Sequence, residues 1–307
     1  MSPASKPVEV RVEDRLLKLS NLDKVLWPEA GFRKGQMIEY YTKIAPALLP
    51  HLKGRPLTLK RYPDGVDGMM FYEKNCPKHR PPWVKTAKVW SHGNNRDMFY
   101  CLVEDLPTLV WLGQLGTIEL HTSLSLARAL PQPRMLVFDL DPGPPATIVE
   151  CCQVAIWLQE WFAGHKLKSY CKTSGSKGLQ LYVPLNNPSV DYALTKKISK
   201  GLAQKLEREK PDHVVHMQRK TLREGKVLID WSQNDQYKTT VSVYSLRARA
   251  LPTVSTPVTW EEVEQCLQEG DPNLLVFDWE TVLSRFQGQG DLFEPVLKLR
   301  QRLPDAV

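Results

Sequence analysis

No stretch of this 307-residue chain approaches the run of about twenty apolar residues that a membrane-spanning helix needs. The opening Met1-Ser-Pro-Ala-Ser-Lys-Pro7 lacks an apolar h-region, which excludes a secretory signal there and predicts a cytoplasmic, nucleoid-associated protein with no membrane partner. Cysteine is scarce. The six residues (76, 101, 151, 152, 171 and 266) have no framework spacing, so a reduced compartment is expected. Cys76-Pro-Lys-His79 has half the look of a zinc site, but no second Cys-x2-Cys or Cys-x2-His pair accompanies it, and a local turn is expected instead. A Walker A loop is missing too: G-x4-G-K-[ST] occurs nowhere, which excludes a P-loop nucleotide site. There are no repeats, no low-complexity segment and no long linker.

What is there is mildly basic. Lys and Arg number 41 against 34 Asp and Glu, a net +7, which suits a polyanionic partner without requiring one. Basic residues recur beside aromatic ones in Lys60-Arg61-Tyr62 and Phe71-Tyr72-Glu73-Lys74, where backbone contacts and base stacking can operate together. Taken singly, many of these are also what ordinary surface charge and core aromatics look like.

The most informative segment is Met135-Leu-Val-Phe-Asp139-Leu-Asp141-Pro-Gly143. Its apolar run reads as a buried strand that Pro142-Gly143 ends. Residues two apart on a strand share a face, so Asp139 and Asp141 form an oxygen-rich seat for a hard cation such as Mg2+ or Mn2+. Solvated carboxylates at a strand exit look the same, so the rest of the chain decides. Lys226-Val-Leu-Ile-Asp230-Trp-Ser-Gln-Asn234 brings a third strand-end carboxylate, with Lys238, Arg247 and Arg249 downstream. Thr173-Ser-Gly-Ser-Lys-Gly178 lies between two predicted strands, where backbone N–H groups, Ser hydroxyls and Lys177 suit an anion; a plain hairpin turn is the bland alternative. Carboxylates for metals together with cations for a triphosphate are what two-metal phosphoryl transfer requires.

Periodicity predicts helices over 34–49, 108–115, 147–162 and 191–210, and a helical tail from Thr256 to Arg302. Strands are predicted over 57–61, 69–73, 117–121, 170–185 around the glycine loop, 226–231 and 240–245. Ser20-Asn21-Leu-Asp23 offers helix-capping side chains. The mixed order of elements indicates an α+β fold.

The segments Val137-Phe-Asp139-Leu-Asp141-Pro-Gly143, Thr173-Ser-Gly-Ser-Lys-Gly178, Asp230-Trp-Ser-Gln-Asn234, Lys238-Thr-Thr240 and Tyr244-Ser-Leu-Arg247 resemble, in order, those of the polymerase domain of bacterial ligase D, a member of the archaeo-eukaryotic primase superfamily. The resemblance runs from about Leu19 to Arg302. It implies a primase-polymerase core with mixed and antiparallel sheets flanked by helices. It divides the chain into a flexible tail (1–10) and a single domain (11–307), with an N-terminal module over about 11–125, a catalytic module over 126–255 and a helical C-terminal segment over 256–303. It further implies a metal-dependent nucleotidyltransferase that extends primer ends and fills short gaps in non-homologous end joining, using NTP in preference to dNTP, with Mn2+ or Mg2+ in a two-metal site. Implied partners are DNA ends bearing a 5′-phosphate, Ku and a DNA ligase, the chain itself being a monomer.

Residue by residue, the resemblance makes Asp139, Asp141 and Asp230 the metal ligands and catalytic groups. His121, Ser174, Lys177, Gly178, Gln233, Lys238 and Arg247 match the nucleotide site, with the Ser174 hydroxyl a candidate partner for the sugar. Asn21, Lys24 and Lys34 match the grip on a downstream 5′-phosphate, and Lys60, Arg61, Phe71 and Tyr72 the template and primer surface. Two positions depart from the family. Gln180 stands where a His is usual, facing the side of Tyr182 and expected to point toward the phosphates, and Tyr72 replaces a Phe. No K-x-D-G ligase motif and no His-rich nuclease block occur in the sequence. The rival readings are a non-catalytic DNA-end bridge and a D-x-D phosphatase, the latter disfavoured because Pro142-Gly143 follows the second Asp where such enzymes place Gly-Thr.

Overall fold

The computed structural model describes residues 7–91, 93 and 95–304. The chain opens with two antiparallel ladders: β1 (Val8–Val12) on β2 (Arg15–Leu19), and β3 (Val25–Trp27) on β4 (Phe32–Arg33). β1 therefore starts inside the expected tail, and residues 1–6 lie outside the described residues. No helix follows Ser20–Asp23. The chain turns there, with Asn21 at a φ of 55°, because no helical apolar spacing runs between it and the Pro28–Gly31 break. The first helix, α1 (Lys34–Leu52), buries Met37, Ile38, Tyr41, Ile44, Ala45 and Leu48, the positions that share one helical face.

β5 (Leu57–Arg61), β6 (Phe71–Glu73), β7 (Thr86–Ser91) and β8 (Arg96–Cys101) come next. α2 (Leu106–Gln114), capped by Asp105, leads into β9 (Thr117–Thr122). Cys76 and Cys101 form a disulfide, which corrects the all-reduced expectation. Spacing gave no hint of it, because the two meet only where the segment after β6 folds against β8, with the Cys76 N–H donating to the Phe99 carbonyl.

The rest of the chain supplies β10 (Met135–Pro142), α3 (Ile148–Gly164), β11 (Tyr170–Thr173), β12 (Leu179–Pro184), α4 (Tyr192–Glu209), β13 (Val214–Val215), β14 (Val227–Asp230), β15 (Thr240–Val241), β16 (Pro257–Val258), α5 (Trp260–Glu269), α6 (Trp279–Gln289) and α7 (Pro295–Lys298). Two of these shorten expected elements. The 240–245 strand ends at Val241, since Tyr244 sits at a φ of 63° in a turn. The C-terminal stretch is interrupted before α5 by β16, which pairs with β11.

Two six-stranded sheets result. One has the order β13-β14-β10-β12-β11-β16, and the other β15-β9-β5-β8-β7 with β6 on β5. The β13–β14 pair is parallel and the remaining ladders are antiparallel, so the α+β expectation with mixed and antiparallel sheets holds. One buried apolar cluster runs from Leu17 to Leu303, with Leu158 and Phe162 of α3 in it beside Leu136 and Phe138 of β10. Among the described residues, no helix is long and apolar enough to cross a membrane.

Candidate active site

β10 is the central strand of its sheet, and its register with both neighbours builds the site. Asp139 lies opposite Asp230 of β14 on one side and Gln180 of β12 on the other, and Gln180 lies opposite Lys172 of β11. Directly opposed residues share a face, so Asp230, Asp139, Gln180 and Lys172 form one row across four strands. Asp141, two residues on, joins the same face at the exposed strand end. Burial, then the Asp141 charge, push the Asp139 carboxyl up to about 7, against the opposing hydrogen bond from Gln180. Asp141 is raised as well, by burial and then by Asp230. Neither has a Lys or Arg within ion-pair distance among the described residues.

Such a raised, uncompensated pair of carboxylates fits a divalent cation, whose charge removes the repulsion. As they stand, no three acidic, His or Cys side chains among the described residues converge on a point. Asp230 explains this. Its Oδ1 accepts from the Ser232 N–H and hydroxyl at 2.9 and 2.5 Å, and its Oδ2 accepts from Gln233 Nε2 at 2.9 Å. Gln233 is held there because Asn234, fully buried, bonds both backbone groups of Val137 at 2.9 and 2.7 Å.

Asp139 and Asp141 line a cavity of about 290 Å3 together with His121, Ser174, Arg247, Arg249, Tyr72 and Thr240. Arg247 donates to the Ser174 carbonyl and lies 3.4 Å from Glu119 Oε1. His121 Nε2 bonds Glu119 Oε2 at 2.8 Å. Burial lowers the His121 pKa, and the Glu119 bond only partly restores it. For Glu119, burial is outweighed by His121, Arg247 and Lys60, which together hold it below the ordinary carboxylate range.

The glycine loop is organised from within: Ser174 Oγ accepts from the N–H groups of Ser176 and Gly178, both at 3.2 Å. Gly178 serves packing. A Cβ there would lie 1.9 Å from the Leu140 carbonyl oxygen, so only glycine lets β12 approach β10 beside the aspartates. Lys177 does not reach the carboxylate cavity. It lines a second, apolar cavity of about 310 Å3 on the other side of the loop, with Ser176 in the wall between the two. The carboxylate cavity is the candidate active site, since of these two it is the one that combines carboxylates with arginines. Lys238 is also outside it, its Nζ donating to Ser232 Oγ at 2.6 Å. Gln180 also lines this cavity, and its Nε2 donates to Asp139 Oδ1 at 3.0 Å.

The template-side residues divide. Lys60 Nζ donates to Glu119 Oε2 at 2.9 Å, and Arg61 grips Glu73 through two bonds at 2.8 and 2.9 Å, so both charges are locally balanced. Phe71 and Tyr72 are 41 and 52% exposed, which leaves their rings open to stacking. Near the N-terminus, Lys24 pairs with Asp64 at 2.6 Å. Lys34 is 7% exposed and donates at 3.0 Å to the Ser20 carbonyl, with no carboxylate partner among the described residues. Burial and the neighbouring Lys24 push it down to about 8.

Sequence reasoning missed Glu119, which ties His121, Arg247 and Lys60 together. The available signal was its place two residues before His121 on a predicted strand, which puts both on one face. Lys172, fully buried and bonded to Ser255 Oγ at 2.6 Å, had no signal, since its row exists only through strand pairing.

An α+β fold that sets strand-borne carboxylates against Arg, His and a glycine loop has the architecture of a primase-polymerase catalytic core. Residues 33–293 match the family described as "LigD, primase-polymerase domain". The Multifunctional non-homologous end joining protein LigD of Mycolicibacterium smegmatis is 37% identical over 290 residues, 91% of this chain and 36% of that protein. The Bifunctional non-homologous end joining protein LigD of Bacillus subtilis is 31% identical over 286 residues, 93% of this chain and 44% of that protein. The solved structure "Polymerase Domain from Mycobacterium tuberculosis Ligase D in complex with DNA" superposes with a TM-score of 0.85 at 36% identity, covering 94% of this chain and all of that one. The chain belongs to the LigD primase-polymerase domain family, and it spans less than half the length of these two relatives.

Proposed function

We propose that this chain is a divalent-cation-dependent nucleotidyltransferase that extends primer ends and fills short gaps during non-homologous end joining, with NTP favoured over dNTP. The observation that carries the reading is one cavity lined by Asp139 and Asp141 together with His121, Arg247 and Arg249, with Asp230 directly opposite Asp139 on the neighbouring strand. Asp139, Asp141 and Asp230 would hold Mn2+ or Mg2+. When bound, such cations supply activation of the primer 3′-hydroxyl and charge for the leaving pyrophosphate. The new bond joins the primer 3′-oxygen to the α-phosphorus, the α–β phosphoanhydride breaks, and the hydroxyl proton leaves to solvent. Arg247, kept in place by Glu119 and the Ser174 carbonyl, offers its charge to the triphosphate, and His121, its ring orientation fixed by Glu119, lines the same cavity. Tyr72 and Phe71 offer stacking surfaces for bases. Lys34 and Lys24, with Asn21, form the site for a downstream 5′-phosphate.

LigD relatives work in end joining and the solved neighbour is bound to DNA. These likenesses support DNA ends as substrate; Ku and a DNA ligase are the proposed companions of a cytoplasmic, nucleoid-associated monomer. The test is extension of a 5′-phosphorylated gapped duplex with NTP or dNTP and Mn2+ or Mg2+. Wild-type protein is expected to extend with all of these, best with NTP, and Asp139→Ala, Asp141→Ala is expected to extend with none while still binding ends. End binding by wild type without any extension would instead favour the bridging role. Phosphate release from simple phosphoesters would favour the phosphatase.

A further inference from the structure

The row that carries Asp230 and Asp139 continues to Gln180, and the chemistry above makes no use of that residue. Gln180 is 3% exposed. Its Nε2 donates to Asp139 Oδ1 at 3.0 Å, and its Oε1 accepts from the Tyr182 hydroxyl at 3.1 Å. That hydroxyl also lies 3.1 Å from Thr240 Oγ1 on β15, in the other sheet. Gln180 and Tyr182 stand two apart on β12, so strand geometry aims both side chains at this face. A carboxamide has two unlike ends. With Nε2 on the carboxylate, Oε1 faces a hydroxyl that can donate to it; the flipped amide would set its oxygen against Asp139. An unbroken chain of hydrogen bonds thus runs from Asp139 through Gln180 and Tyr182 to Thr240 and links the two sheets.

We propose that Gln180 is a positioning residue whose amide, oriented by Tyr182, fixes the rotation of the Asp139 carboxylate that receives the divalent cation. The inference rests on the cation reading of the preceding subsection. Carboxylate ligands are ordinarily held by such outer hydrogen bonds, and loss of one lowers metal affinity about tenfold or more. Gln brings the donor without a charge, so nothing at this position repels an incoming cation. Lys172, next in the row, packs its amine 5.6 Å from the Tyr182 ring centre.

The test is Mn2+ binding to the whole chain without nucleotide or DNA, followed through the electron paramagnetic resonance signal of free Mn2+, with metal-free melting curves as the fold control. Asp139→Ala is expected to remove tight binding. Gln180→Leu, which keeps bulk and loses the donor, is expected to weaken Mn2+ affinity about tenfold. Tyr182→Phe should weaken it by less. The double variant should bind no more weakly than Gln180→Leu alone, since Tyr182 acts only through the amide. Gln180→His, which restores an N–H donor on a differently shaped side chain, should recover most of the lost affinity, as a mere packing role would not. Wild-type affinity in folded Gln180→Leu overturns the proposal, as does full additivity of the two single effects. If Gln180→Leu does not fold, Tyr182→Phe carries the test, and unchanged affinity there overturns it. Failure of wild type to bind Mn2+ any better than Asp139→Ala would instead sink the cation reading itself.

Discussion

At the scale of single residues, Asp139 makes the fold's electrostatics measurable without any substrate. Its folded-state pKa, pushed up to about 7, lies above that of an unfolded carboxylate. As pH rises through that interval the unfolded chain releases the proton first, so the metal-free fold loses stability, while below the ordinary carboxylate range both states are protonated and nothing is lost. Asp139→Asn keeps the shape and removes the charge. Calorimetry in a chelator should find the variant melting a few degrees above wild type near pH 8 and level with it near pH 4; an identical pH slope in both proteins would contradict this. Lys34 has the opposite sign. Pushed down to about 8, it loses its charge as pH rises through that value. A phosphate monoester is already dianionic there, so the preference for 5′-phosphorylated gapped DNA should shrink between pH 7 and 9, and Lys34→Arg should hold it constant. Fluorescence anisotropy with phosphorylated and unphosphorylated duplexes reads this directly. The three aspartates were legible in the sequence because residue type, strand pattern and spacing all pointed one way. Glu119 was legible only as a neighbour of His121 on one strand face; its role appears once folding brings Arg247 and Lys60 to it.

At the scale of elements, the glycine loop was recognisable but its division of labour was not. Loop composition advertises anion binding, whereas the geometry shows Gly178 acting through the contact between β12 and β10. Gly178→Ala would drive a methyl group onto the Leu140 carbonyl and force the strands apart beside Asp139. Its expected cost is about 3 kcal/mol or more, seen as a large fall in melting temperature; a variant that melts like wild type would show that the strands can part freely. Strand positions were largely readable from apolar runs, but register was not. Which residue of β14 or β12 faces Asp139 depends on pairings between segments some 40 to 90 residues apart, and no local pattern encodes them. The same limit applies to the short β15 and β16, which are two residues each and exist because an edge was available to receive them.

At the scale of the whole molecule, Asp291 fastens the C-terminal segment to α1 and to Tyr244. Asp291 accepts from His51 Nε2 at 2.8 Å, from the Tyr244 hydroxyl at 2.7 Å and from the Phe293 N–H at 2.9 Å. Burial opposes its charge, but the His51 bond and the other two hold its pKa below the ordinary range. Asp291→Ala strands these donors and should destabilise the fold by about 2–4 kcal/mol, while leaving the extension rate per folded molecule near wild type at low temperature. Chemical denaturation together with the gap-filling assay separates the two effects.

The central place of β10 also bears on how the protein is made. Strands that emerge from the ribosome later, β12 and β11 and then β14, add to opposite sides of one already synthesised. Until residues 227–230 emerge, the flank of β10 that β14 will cover stays open, with Leu136, Val137 and Phe138 nearby. An uncovered apolar edge is a template for any passing strand. A nascent chain halted between Pro184 and Val227 is therefore a sticky half-sheet, and the strand that completes the carboxylate row is also the one that seals it.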